Sequence, residues 1–527
     1  MKFPLPYIEY CALPKYQQIL YKIADFFRKA AVGIYHFIFS LGVSIVNLGK
    51  KIGKAFEKMY LSFKFGDVAT KLSFVFLGAS HIKRGQIVKG ILLMILEFAF
   101  ILLMVVFGGT ALVNLVTLGD YRKGYICSSD PSVVYPEKGD APCAAPIIVH
   151  PDNSAQMLLY GILTVVIIVV FVFFYISTVN KSYEIQTHQE EGKHIKKFTE
   201  ELSEFLNNKF HVTLLLLPIF GILIFTVLPL IDMICMAFTN YDYLTEFPKN
   251  VFDWVGLKNF SNVFNMGGDG FGYTFIEILK WTLVWAVFAT FSNFLLGILI
   301  ATIINRKGIK FKKFWRTCLV LSVAVPQFVS LLAISQFLGE YGPLTSILER
   351  LTGIKYRFLA QPYTDISIFG IPVSLDFPRI IVIMVNIWIG VPYTVLSTTG
   401  ILMNVPEDLY ESARIDGASP LTMYFKITLR YIIFVMGPSL ITSFIGNFNS
   451  FGVIFLLTGG GPKTNGFYGS AGHTDLLVTW LYQLTMGSNP DYKMASVVGI
   501  LIFIISSTIS LILYRNSSSF KSEEDFA

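Results

Sequence analysis

Charge is the first thing this sequence is short of. Only 15% of its 527 residues are Asp, Glu, Lys or Arg, against about 25% in a soluble domain. That shortage argues against a freely soluble enzyme. Cysteine is sparse as well. The five present (Cys11, Cys127, Cys143, Cys235 and Cys318) have no metal-site spacing, and the seven histidines are scattered, so no metal ligand is assigned. No Ser–His or Cys–His pairing and no enzyme-sized polar stretch is visible, so no catalytic residue is expected. No cleavable leader is expected: the N-terminal residues carry Pro, Lys and aromatics, with no apolar core ahead of a small-residue cleavage site.

Hydrophobic residues, in contrast, make up 54% of the chain, and several runs exceed the roughly 18 residues needed to cross a bilayer. The sequence predicts an all-α polytopic membrane protein with about eight spans, at 87–107, 157–179, 212–239, 277–304, 316–338, 379–401, 431–456 and 494–514. The net charge of +7 does not point to nucleic acid, because the basic residues fall in loops between apolar runs. Residues 305–316 hold six Lys and Arg and no acid, and the stretch before the first span is similarly basic. Both belong on the cytoplasmic side. Eight spans put both there, together with 180–211, 402–430 and the C-terminal tail.

Composition divides the chain into an N-terminal extension (1–190), a charged linker helix (191–211), a six-span domain (212–515) and a tail (516–527). Residues 31–59 carry an apolar stripe (Ile34, Phe37, Ile38, Leu41, Ile45, Leu48, Ile52, Phe56) opposite a polar one with Lys51, Lys54 and Lys58. This reads as an amphipathic helix in the cytoplasmic interface, although 31–48 is long enough to just span. Cys127 and Cys143 share the external loop 119–156; a disulfide and two free thiols both remain open.

The polar stretch "YESARIDGASPLTMYFKITLR" (410–430) interrupts two apolar runs. Pro406, Glu407 and Asp408 suit a helix start. Gly417 suits a left-handed stop, and Ser419-Pro420 suits a restart. On physics alone, a coupling element and a plain interfacial link are equally good readings. Within spans, Trp388, Gly390 and Tyr393 sit together, and Ser443, Asn447 and Ser450 recur at i, i+4 and i+7. An aromatic plate with amide and hydroxyl groups suits a sugar ring, but helix packing by small and polar residues explains the same pattern. Glu97 and Asp232, also within spans, would serve a proton- or sodium-coupled carrier working alone, or simply pair with neighbours. "GGGPKTNG" (459–466) is not a phosphate loop, since Pro462 rather than Gly precedes Lys463.

Glu411-Ser412-Ala413, three residues, Gly417, nine residues and Ile427-x-Leu429 resemble the EAA loop of ABC importer permeases, with Ser412 and Arg430 departing from the family pattern. "NIWIGVPYTVL" (386–396), "SFIGNFNSFGVIFLLTGGGP" (443–462), "GHTDLLVTWLYQL" (472–484) and "VPQFVS" (325–330) are similar to MalF-type permeases of maltose-type importers. The resemblance covers about 205–515. It implies a six-helix type I ABC importer permease core behind an N-terminal extension, in a bacterial plasma membrane with both termini cytoplasmic. It implies that Gln327, Trp388, Gly390, Tyr393, Ser443, Asn447 and Ser450 line a path for a maltodextrin-like oligosaccharide. Glu411, Ala413, Asp416, Gly417 and Ala418, within a loop at 404–430, would dock on an ATPase. The implied partners are a MalG-like second permease, two ABC ATPases that bind ATP and Mg (this chain holding no cofactor), an extracellular sugar-binding protein and the lipid bilayer.

Overall fold

The computed structural model describes residues 14–515 except 122–123, 128–129, 136–146, 268–269, 307, 354 and 369–370. Among the described residues, seven helices are long and apolar enough to cross a membrane, and a sharply bent pair makes an eighth candidate. The chain packs as two compact units. One is Phe37–Gly256, and the other joins Leu257–Ala527 to Met1–His36.

The N-terminal helix α1 runs unbroken over Lys15–Phe65. Most side chains of the first half of its expected stripe lie outside the described residues. In the second half the inward-facing positions are Ile52, Ala55, Met59 and Ser62, while Phe56 is exposed. These positions set the rotation of the helix against the rest of its unit. Asn180 Nδ2 donates to the Ala55 carbonyl at 3.1 Å, which fixes that rotation.

Within the unit Phe37–Gly256, α2 (Ile87–Thr117) and α3 (Ser154–Glu190) cross closely. Gly161 makes the crossing possible, because a Cβ there would lie 2.5 Å from Leu115 Cβ. The segment between α1 and α2 turns back on these spans. Glu97 accepts the Leu77 N–H at 2.9 Å, and the Tyr175 hydroxyl donates to the Phe74 carbonyl at 2.8 Å. Backbone outside a helix must be satisfied by protein where lipid cannot do it, and Glu97 performs that task. The charged linker forms α4 (Phe198–Leu206), tied to the base of α2 by a Lys89–Glu201 pair at 2.6 Å. Next comes α5 (Phe210–Met236), which carries Asp232. The Asp232 Oδ1 is buried and has no hydrogen-bond partner among the described residues. Strands β1 (Gly124–Cys127), β2 (Asp130–Tyr135) and β3 (Ile147–Val149) form a small antiparallel sheet in the loop between α2 and α3. The Cys127–Cys143 pairing expected as one possibility there lies outside the described residues.

The second unit is organised around α6 (Phe271–Asn305). Its next element departs from the sequence reading, which placed one straight span at 316–338. Helix α7 (Lys312–Ala324) stops at Val325, and the chain resumes as α8 (Gln327–Leu338) and α9 (Pro343–Thr352) at an 86° bend. Pro326 is the cause. It has no N–H to donate, and it forces its neighbour out of the helical region; Val325 accordingly sits at ψ 127. A hairpin of β4 (Thr364–Ile368) and β5 (Ile371–Leu375) leads into α10 (Phe377–Leu402), whose start is capped by Asp376 accepting from Arg379 N.

Helix α11 (Glu407–Ile415) is followed by α12 (Pro420–Phe448). The latter runs through the motif's Arg430 into the span without a break. It ends at Phe448, eight residues before the limit expected from hydropathy, and residues Gly452–Leu457 form a separate short helix, α13. The buried helix α14 (Leu477–Met486) was not foreseen, and α15 (Tyr492–Arg515) is the last span.

Candidate transport cavity and coupling segment

Helices α6 and α10 touch through two reciprocal glycines. A Cβ on Gly297 would lie 2.5 Å from Thr394 Cβ, and one on Gly390 would lie 2.2 Å from Asn293 Nδ2. The partners are four apart on each helix, so the two contacts stack along one seam. Beside that seam α12 closes a cavity of about 210 Å³, whose walls include Thr290, Asn293, Gly390, Tyr393, Ser443 and Asn447. A shallow second hollow of about 10 Å³ is lined by Gln327 and Trp388, with Tyr393 between the two.

Six of the seven expected path residues are thus brought together. Ser450 is not among them. The i, i+4, i+7 pattern holds only while the helix continues, and α12 ends before Ser450, whose N–H turns back to the Asn447 carbonyl at 3.1 Å. Asn447 is held twice more. Trp285 Nε1 donates to its carbonyl at 3.0 Å, and its own Nδ2 donates to Thr290 Oγ1 at 2.9 Å. Thr290 and Asn293 escaped the sequence reading. The available signal was a pair of polar residues three apart inside an apolar run, one turn before Gly297.

At the other end of α12, the 404–430 stretch folds as two helices joined at a glycine. Gly417 has φ +74. Its N–H donates to the Arg414 carbonyl at 3.0 Å, while Ala418 N–H reaches back to the Ala413 carbonyl at 2.9 Å. These are the two bonds of a Schellman stop. Ser419 caps the restart by accepting from Thr422 N. The Tyr410 and Thr428 hydroxyls join the two helices at 2.8 Å. Thr428 is buried, whereas Leu421 and Phe425 are exposed. Ile415 is 86% exposed and Leu421 70%. Glu411 and Asp416 are exposed as well. This chain offers no cover for that apolar patch among its described residues.

The segment 458–476 is a structural plug between α13 and α14. Asp475 is fully buried. It accepts from Gly472 N at 2.7 Å and from Gln483 Nε2 at 2.9 Å. Gly460 (φ +84) packs directly on its carboxylate, where a Cβ would lie 2.0 Å from Oδ1. Burial pushes the Asp475 carboxyl up to about 7, against the pull of its hydrogen bonds from Gly472 and Thr479. Two ties fasten the plug to the helices: Trp281 Nε1 donates to the Thr474 carbonyl at 3.1 Å, and His473 Nε2 meets Asp376 Oδ2 at 2.8 Å. Gly460 of "GGGPKTNG" therefore serves close packing against Asp475.

Residues 293–520 match the family model described as "Binding-protein-dependent transport system inner membrane component". The maltodextrin transport system permease protein MdxF of Bacillus subtilis is 30% identical over 448 residues, which is 85% of this chain and 95% of MdxF. The chain belongs to the binding-protein-dependent transport system inner membrane components. The galactooligosaccharides transport system permease protein GanP of B. subtilis is 33% identical over 71% of this chain and 85% of GanP. The maltose/maltodextrin permease MalF of Escherichia coli K12 is 34% identical over 49% of this chain and 48% of MalF. Membership makes the chain a multi-pass inner-membrane transport subunit of the MalF type that works with a binding protein. It is not a stand-alone carrier, and Glu97, occupied with a backbone N–H, is free of that role.

Proposed function

We propose that this chain is one of two permease subunits of an ATP-driven carbohydrate importer, and that it forms half of the path for a maltodextrin-like oligosaccharide. The observation that carries this reading is the cavity. It gathers amide, hydroxyl and aromatic groups from three helices, with Gly390, Tyr393, Ser443 and Asn447 on its wall and Gln327 and Trp388 next to it. Sugar rings have apolar C–H faces and a rim of hydroxyls, and a pocket with few convergent polar groups on an apolar frame suits them. The names of MdxF and MalF support the substrate class.

The rest of the assembly follows from the same reading. A MalG-like permease supplies the other half of the path, and an extracellular binding protein delivers the sugar. Two cytoplasmic ATPases bind ATP and Mg and receive the Glu411–Ala418 segment in a cleft. Residues 1–190 act as an extension, 191–211 as a linker, and 212–515 as the permease domain with its coupling loop at 404–430. Both termini, including the tail 516–527, face the cytoplasm. Nucleotide shifts the equilibrium between inward- and outward-open states only through its differential binding to the two.

The test is uptake by membrane vesicles carrying the complete transporter, supplied in turn with maltotriose, maltotetraose and a galactooligosaccharide. ATP-dependent accumulation of the maltodextrins is expected. Accumulation of the galactooligosaccharide alone would replace the substrate, and uptake of neither would remove the carbohydrate reading.

A further inference from the structure

We infer that Asn293 is a specificity-determining residue of the transport cavity, whose carboxamide takes hydroxyl groups of the sugar. The inference rests on the carbohydrate reading above and deepens it.

The polar groups on the cavity wall divide into those the protein uses itself and those it leaves. Asn447 and Thr290 bond to each other at 2.9 Å. Asn293 stands one turn from Thr290 on α6 and lines the same cavity. Among the described residues its side chain makes no hydrogen bond, and its Oδ1 is buried without a partner. A buried amide end left unpaired is destabilising, and native structures hold few of them. Inside a membrane span such a group is costlier still, because lipid offers it nothing. Yet α10 makes room for this one. Gly390 faces it, where a Cβ would lie 2.2 Å from Asn293 Nδ2 and 2.8 Å from Oδ1. One position on each of two helices thus serves to hold an unpaired carboxamide in the wall.

The ligand chemistry follows from the group. A carboxamide sets a donor and an acceptor side by side, and a hydroxyl both donates and accepts. Either end of the amide can therefore meet a sugar hydroxyl, and two neighbouring hydroxyls of one ring can engage both ends. Tyr393 from α10 and Ser443 from α12 border the same cavity, so a sugar there meets polar groups from three helices. A ligand that lacks the matching hydroxyl leaves the amide unpaired. A site built to hydrogen-bond a hydroxyl rejects the analogue without it for that reason.

The experiment uses the complete transporter with its binding protein in proteoliposomes. It compares maltotriose with a set of maltotrioses that each lack one hydroxyl. Wild type should take up at least one of these analogues about tenfold more slowly than maltotriose, the scale of one buried hydrogen bond. Asn293→Leu keeps the approximate size of the side chain and loses both polar ends. It should lower maltotriose uptake about tenfold and take up that analogue as fast as maltotriose. Asn293→Ala, which cannot crowd Gly390, should lose the same discrimination. Both variants should retain their ATPases on purification. The binding protein is common to wild type and variants, so a change in the ratio of the two sugars belongs to the cavity. Uptake of maltotriose and every analogue lowered by one common factor would overturn the inference and leave Asn293 a packing residue. Maltotriose uptake unchanged in both variants would overturn it as well, as would a wild type that moves all the analogues as fast as maltotriose. A wild-type transporter that fails to move maltotriose would strike the carbohydrate reading instead, so the two failures are distinguishable.

Discussion

Gly390 owes its identity to Asn293. The two face each other across α6 and α10 so closely that a methyl group on Gly390 would sit 2.2 Å from the Asn293 amide nitrogen. One turn away Gly297 stands in the same relation to Thr394. The two contacts differ in what can yield. Asn293 presents the end of a side chain that can turn aside. Thr394 presents its Cβ, which is fixed to the backbone and stiff at χ1. Gly297→Ala should therefore separate the helices and destabilise the protein by about 1–3 kcal/mol, the scale of an overpacked core. Gly390→Ala should cost less stability but lower sugar affinity by displacing Asn293. Thermal unfolding in detergent together with uptake KM would check both. The reverse order of stabilities would contradict this account of the seam.

Removing the Asn447 side chain should be costly for transport and cheap for assembly. Asn447→Ala deletes the carboxamide on the cavity wall, at about 1–3 kcal/mol in binding. Maltodextrin uptake should fall strongly while the ATPases co-purify as before. Normal uptake of every maltodextrin tried would remove Asn447 from the site.

A pH dependence should trace to Asp475. Its carboxyl titrates near 7 in the folded chain, raised by burial from an ordinary value of 3.8. The folded state thus holds a proton that the unfolded chain has released across that interval. The resulting stability is complete below about 3.8 and is lost as pH rises towards about 7, with a slope of at most about 1.4 kcal/mol per pH unit. Asp475→Asn does not titrate, so it should flatten the stability profile between about pH 4 and 7. Parallel profiles for wild type and variant would show that Asp475 is not the group responsible.

The exposed apolar patch on the coupling segment should matter for docking and not for folding. Ile415 and Leu421 are 86% and 70% exposed, so Ile415→Asp removes no internal contact of this chain. It should leave membrane levels unchanged and sharply reduce pull-down of the ATPases. Glu411→Ala, on the same exposed stretch, should lower uptake with a milder loss of assembly. A variant Ile415→Asp that retains its ATPases would argue that this face is not the docking surface.

What the sequence made legible follows physical lines. Span number and order were readable because an apolar run of sufficient length has few alternatives to crossing a bilayer. The helix–glycine–helix form of 404–430 was readable because each cap has its own chemistry: Pro and acids at the start, Gly417 at the stop, Ser419 at the restart. Bends and short elements were harder. Hydropathy averages across Pro326 and so hides an 86° break. Helix α14 has only ten residues, too few to register as a span, although its Trp480 is fully buried. The path was read from α10, α12 and, through Gln327, the start of α8. A further wall, Thr290 and Asn293, lies on a helix whose residues serve several tasks: Trp281 holds the plug, Thr282 the start of α14, and Gly297 sets the crossing. Ser450 was misplaced on the cavity face because helical periodicity was extended past the point where the helix stops.

The central claim is that this chain converts ATPase motion into sugar passage through the Gly417 turn. That turn has φ +74 and open space around it, so Gly417→Asp strains the backbone by roughly 1 kcal/mol and projects a charge at the docking partner without disturbing the spans. The most direct measurement is ATP hydrolysis and sugar accumulation recorded together, in proteoliposomes holding the full transporter and a maltodextrin-loaded binding protein. The account predicts that wild type shows sugar-stimulated hydrolysis with accumulation, and that Gly417→Asp reaches the membrane but loses both. Accumulation that proceeds without ATP, or full coupling in Gly417→Asp, would contradict it.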